Sequence, residues 1–182
     1  MKQSFLLSLL FLLCGLQACL QPPDYSDVPE IAYVGMDKMF VKQGSSERIN
    51  GQIVSLSDTL TITIAYTDGD GDIGADLDSL GNVDFLNNVV FIDNRTNQDS
   101  KISVPFIPAL GLGNGISGQI SFEIYTALGG MCCIYDDKNG QDPCTSSTRY
   151  PTDTMTYTIY IVDQAGNESN RIETEPIILL CD

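Results

Sequence analysis

Thr59-Leu60-Thr61-Ile62-Thr63-Ile64-Ala65-Tyr66-Thr67 alternates without a break. Leu60, Ile62, Ile64 and Tyr66 fall on one face and the threonines on the other, the period of two that a half-buried β-strand requires. Most of these residues are β-branched, which suits extended backbone. The period recurs downstream: residues 117–126 set Ile120, Phe122 and Ile124 on one face, and 155–162 set Met155, Tyr157, Ile159 and Ile161 on another. Shorter apolar runs stand at 31–34, 88–93 and 102–107, where Pro105 argues for an edge position. Residues 48–54 continue or double the first edge strand, and 172–180 closes the chain. No stretch carries a helical period, and Gly, Asn, Asp and Pro punctuate the intervals.

This pattern predicts an all-β domain, an immunoglobulin-like β-sandwich of about seven strands. If 59–67 is its second strand and 155–162 its sixth, the two run the same way. The loops that follow them then share one pole.

The first of those loops is Asp68-Gly69-Asp70-Gly71-Asp72-Ile73-Gly74, with Asp76 and Asp78 continuing the acidic run. Calcium takes several hard oxygen ligands at once. Aspartates at alternate positions of a curling, glycine-spaced loop supply them. The loop resembles those of EF-hands and of dockerin or thrombospondin-type repeats. It departs from the EF-hand: Ile73 stands where the glycine belongs, Ser79 where the bidentate glutamate belongs, and a strand rather than a helix leads in. The expectation is a β-loop calcium site drawing on Asp68, Asp70, Asp72, Asp76 and, across the shared pole, Asp163, with Asn167 and Asn170 close by. The competing reading is a solvated acidic turn. Asp136, Asp137, Asn139 and Asp142 around Gly140 form a less regular acidic stretch, which reads as a turn.

Composition narrows the function classes. The 182 residues carry 9 basic and 24 acidic side chains, a net charge of −15, which repels nucleic acid and attracts cations. There is no histidine, which removes the usual general base, the commonest zinc ligand and every Ser-His or Cys-His nucleophile. A hydrophobic fraction of 43% supports a real core. Lys2 and the apolar run 5–13, too short to span a bilayer, read as an export signal. Leu16-Gln17-Ala18-Cys19 resembles the lipobox of bacterial lipoproteins. The resemblance implies that 1–18 is a cleaved signal peptide and that Cys19 carries a lipid anchor. Residues 19–30, with Pro22, Pro23 and Pro29, read as a flexible spacer before a domain spanning 31–182.

Asp163-Gln164-Ala165-Gly166-Asn167-Glu168-Ser169-Asn170 resembles a turn near the end of many bacterial extracellular immunoglobulin-like domains. With the DGDGDIG loop and the lipobox, it makes the chain similar to a group of Bacteroidetes-type lipoproteins. The resemblance implies a fold and a place on the cell envelope, with outer-membrane attachment, and no particular activity. Four further cysteines, Cys132, Cys133, Cys144 and Cys181, suit an oxidising compartment. A vicinal Cys132–Cys133 bond is strained, so one of the two is expected to join Cys144 and the other Cys181, pinning an insertion at 127–154. The functional expectation is a non-enzymatic, lipid-anchored binding or structural module, its partner an envelope protein or a glycan. Trp is absent, and Tyr125, Tyr135 and Tyr150 are scattered along the chain, which weakens a stacking platform for sugars. The alternatives are a metal-free structural subunit of a surface assembly, or a carboxylate hydrolase built on Asp70 and Asp72 or on Asp136 and Asp137.

Overall fold

A computed structural model describes residues 24–74, 76–77, 83–84, 88–104, 107, 115–126, 131–135 and 144–181, with backbone alone at 46, 53, 76–77 and 83–84. Cys19, the signal segment and the acidic stretch at 136–142 lie outside the described residues, as does the Asp76 side chain.

Among the described residues, fourteen strands follow in chain order. They are β1 (Glu30–Met36), β2 (Phe40–Lys42), β3 (Ser45–Ile49), β4 (Gln52–Leu56), β5 (Thr59–Asp68), β6 (Asp76–Leu77) and β7 (Val83–Asp84). Then come β8 (Val89–Asp93), β9 (Gln98–Ile102), β10 (Ile116–Tyr125), β11 (Thr152–Met155), β12 (Tyr157–Ile161), β13 (Ile172–Glu173) and β14 (Ile177–Leu180). The described residues contain no helix. The fold is an all-β sandwich with an immunoglobulin-like strand order. One layer is the antiparallel sheet β1-β5-β10. The other is assembled from β13-β12-β8-β9 and β11-β14-β2, joined because two strands each divide between them.

Those divisions refine the sequence reading. The run 155–162 breaks at Thr156: β11 pairs with β14, whereas β12 pairs with β8 and β13. The closing run breaks opposite it at 174–176, where Pro176 has no N–H to give a ladder. Thr174 bridges the gap. Its N–H donates to the Tyr157 carbonyl at 2.9 Å, and its hydroxyl accepts from the Tyr157 N–H at 3.0 Å. Residues 48–54 do not extend the first edge strand; β3 and β4 form a hairpin of their own. The reason is the Asn50-Gly51 turn, with φ of 51° and 83°, the left-handed pair that closes a two-residue hairpin. The strand expected at 102–107 ends at Ile102, and β9 occupies the polar residues before it. Val104 instead gives its N–H to the Asn88 side chain.

The core lies between the layers. Phe91 of β8 meets Phe122 of β10 edge-on at 5.6 Å and Tyr157 of β12 at 5.7 Å, so one aromatic contacts both sheets. Leu60, Ile62 and Ile64 are fully buried behind it. Each such side chain contributes about 1.5–3 kcal/mol by leaving water.

The cysteines pair as Cys132–Cys144 and Cys133–Cys181. Gln43 stitches this corner: it accepts from the Cys133 N–H and donates to the Cys181 carbonyl, each at 3.1 Å. Arg95, held by Asp93 and Asp153, donates to the Cys132 carbonyl. Tyr135 and Tyr150 are not scattered but stacked on each other at this corner, ring centroids 5.8 Å apart. Residues 25–27 lie against the domain: the Gly69 N–H donates to the Ser26 carbonyl at 2.7 Å.

Candidate metal centre

The alternation of β5 does not stop at Tyr66. Its buried face runs Leu60, Ile62, Ile64, Tyr66, Asp68, so the strand's own period turns the Asp68 carboxylate inward and leaves Asp68 with no exposed surface. β12 repeats the device. Tyr157, Ile159 and Ile161 are buried, and Asp163, two residues on, is only 4% exposed. The two strands end at one pole, and the loops beyond them meet. Carboxylate oxygens of Asp68, Asp72 and Asp163 all lie within 4.8 Å of one another.

Both loops are fixed locally before they meet. The Asp72 N–H donates to Asp68 Oδ2 at 2.8 Å, and Gly71 takes a φ of 80° that lets the turn close. Ile73, fully buried, anchors the loop's far end, and its carbonyl accepts from Asn88 Nδ2. In the second loop the Asn167 backbone and side-chain N–H groups donate to the two Asp163 oxygens at 2.7 and 2.8 Å. Three bonds then stitch loop to loop. Ala165 N–H donates to Asp72 Oδ2 at 3.1 Å, Gln164 N–H to the Asp72 carbonyl at 3.3 Å, and Gln164 Nε2 to the Gly74 carbonyl at 2.8 Å.

Other predicted members fall elsewhere. Asp70 is exposed and outside the trio, though its charge is felt there. Asn167 serves as a cap on Asp163. Asn170 is engaged on β1, accepting from the Ile31 N–H and donating to the Ile31 carbonyl, each at 2.8 Å. Asn88 and Gln164, which position the loop, have no sequence signature of their own. The inward placing of Asp68 and Asp163 does have one, in the continuation of each strand's period.

The electrostatics are unbalanced. Burial, reinforced by the Asp70 and Asp163 charges, pushes the Asp68 carboxyl up to about 6. Burial and the charges of Asp163, Asp70 and Asp68 push Asp72 to about 6 as well. Among the described residues, the ion-paired cations are spent elsewhere: Lys38 on Asp58, Arg95 on Asp93 and Asp153, Arg171 on Glu168. Asp68 Oδ1 and Asp72 Oδ1 are buried with no hydrogen-bond partner. A buried polar atom left this way costs about 1–3 kcal/mol, more when charged. Hard oxygens converging at this spacing, two of them unsatisfied, fit an alkaline-earth cation and offer nothing to a soft metal.

No protein-family model, curated protein or solved structure matches the chain. The fold and this pole define an all-β sandwich domain bearing an acidic, cation-compatible centre.

Proposed function

We propose that the protein is a non-enzymatic, lipid-anchored module of the bacterial envelope, whose recognition or structural role depends on calcium held by Asp68, Asp72 and Asp163. The observation that carries the cation is the pair of buried, partnerless carboxylate oxygens, Asp68 Oδ1 and Asp72 Oδ1, beside Asp163. Calcium supplies the partner both oxygens lack and cancels the repulsion among three acids. It also locks together two loops that otherwise rest on three hydrogen bonds, giving one stiff pole on which partner-binding loops can be presented. The lipid anchor rests on the lipobox resemblance at Cys19, and the envelope partner on the resulting location.

A hydrolase is the weaker reading. Its acid would be Asp68 or Asp72, but Asp68 is fully enclosed, which suits a bare ion better than a substrate. Isothermal titration of the chelator-treated protein with calcium tests the proposal. Binding with a stoichiometry near one supports it, and no heat at millimolar calcium sinks it.

A further inference from the structure

We infer that residues 25–27 form a strap clamped by the cation-loaded loop, so that occupancy of the Asp68–Asp72–Asp163 centre governs whether the chain leading into the domain is docked or free. This rests on the cation reading above and adds a regulated partner, the protein's own N-terminal segment.

The strap has a built seat. The Gly69 N–H holds the Ser26 carbonyl at 2.7 Å, and the Tyr25 hydroxyl reaches Ser117 Oγ at 3.3 Å. Two glycines from different loops leave the room. A Cβ on Gly69 would stand 2.5 Å from the Tyr25 carbonyl oxygen and 2.8 Å from Asp27 Oδ1. A Cβ on Gly115 would stand 2.7 Å from the Tyr25 ring. The seat and the metal centre are opposite sides of one turn. Asp68 directs its carboxylate at Asp72 and Asp163, and the very next peptide, at Gly69, grips the strap.

Charge gives the coupling its sign. The strap brings the Asp27 carboxylate against a loop that already carries Asp68, Asp70 and Asp72. Without a cation these charges repel it; a divalent ion offsets two of them, weakens the repulsion and so favours the docked strap. Coupling is reciprocal, so a docked strap raises cation affinity by the factor with which the cation favours docking.

The test uses the full chain and calcium alone. Chymotryptic cleavage after Tyr25 is timed by mass spectrometry in calcium and in chelator. Tyr125, exposed at the far pole, serves as the reporter of global loosening. Cleavage after Tyr25 is expected to accelerate about 5-fold or more in chelator, with Tyr125 unchanged. Gly69→Ala, which crowds the strap and leaves every carboxylate in place, is expected to be cut quickly even with calcium and to bind calcium about 5-fold more weakly. Asp27→Asn, a surface change that keeps the fold, is expected to protect Tyr25 in chelator. No calcium binding to the unaltered chain would overturn the centre and the strap together. Normal calcium binding, with cleavage after Tyr25 indifferent to calcium and to Asp27→Asn, would overturn the strap and leave the centre standing.

Discussion

Asp68 and Asp163 hold the same place in their strands: each is the next inward position after the last buried apolar residue, Tyr66 in one case and Ile161 in the other. Two strand ends thus deliver two buried carboxylates to one point, with Asp72 between them. The arrangement is unfavourable without a counter-charge, which gives substitution an unusual sign. Asp68→Asn keeps an oxygen to accept the Asp72 N–H and removes one charge from the trio. In chelator, this variant is expected to melt higher than the unaltered protein. In calcium, the order is expected to reverse, because the variant binds at least about 10-fold more weakly, the effect of roughly 1.4 kcal/mol. Asp163→Asn is expected to weaken calcium binding likewise but to gain no stability in chelator, because both Asp163 oxygens accept from Asn167 and an amide can replace only one of them. Thermal melts of the three proteins, each in calcium and in chelator, check this. An Asp68→Asn protein that melts lower in chelator while keeping its calcium response would remove the centre.

The raised carboxyls also set a pH dependence. Asp68 and Asp72 stand near 6 when folded, above the ordinary aspartate value, so the folded state binds protons more tightly than the unfolded state. Their contribution is fully present below the unfolded value and is lost as pH rises through about 6. In chelator, stability is therefore expected to fall between pH 5 and pH 7, by on the order of 2 kcal/mol for the coupled pair. Asp58, held down by the Lys38 hydrogen bond, works the other way, since its stabilisation fades only in more acid solution. With calcium saturating, protons compete with the ion, so the slope over the same window should flatten or invert. Urea titrations at the two pH values, with and without calcium, decide it.

Much of this was open to reading in the sequence because period two is a strong signal where one face is buried. β5, β10 and β12 were legible for that reason, and with them the shared pole. What escaped had physical causes. β9 is polar and exposed through most of its length, so it carries no alternation. β2 is three residues long and pairs in parallel with β14, a partner far away in sequence. The breaks at Thr156 and at 174–176 are set by which sheet each half joins, which is tertiary information. The spacing of aspartates suggested four ligands, with Asp163 added from the shared pole, but it could not separate the inward Asp68 and Asp72 from the outward Asp70. The strand's period carried one step past Tyr66 marks Asp68; the inward placing of Asp72 is set by the turn that closes at Gly71.

The two disulfides should differ in worth. Cys133–Cys181 spans 48 residues and Cys132–Cys144 spans 12. Constraint of the unfolded chain grows with the logarithm of loop length, giving about 4 kcal/mol for the first and about 3 kcal/mol for the second. Cys133 and Cys181 are also buried, so replacing them with serine leaves buried hydroxyls in a place that held sulfur. The double replacement Cys133→Ser with Cys181→Ser is expected to be the more destabilising, lowering the midpoint of denaturation further than Cys132→Ser with Cys144→Ser. Equal midpoints would mean that the long link constrains less than its span predicts.

Asn88 is the polar pin beneath the centre. Its side chain donates to the Ile73 carbonyl and accepts from the Val104 N–H at 2.9 Å, while its own carbonyl accepts from the Val162 N–H at 2.8 Å. It therefore joins the end of the first acidic loop to the residue just before Asp163, in a place only 5% exposed. Asn88→Ala leaves one buried acceptor and one buried donor unpaired, at about 1–3 kcal/mol each, so a total loss of about 2–6 kcal/mol is expected. Asn88→Asp keeps the acceptor for Val104 but turns a negative oxygen toward the Ile73 carbonyl and adds a charge below three others. It is expected to be as damaging as alanine in chelator and to recover part of the loss in calcium, because the ion's field reaches it. Chemical denaturation of both variants, each with and without calcium, measures this. A calcium-independent difference between Asn88→Asp and Asn88→Ala would show that the pin acts on packing alone and not through the acidic centre above it.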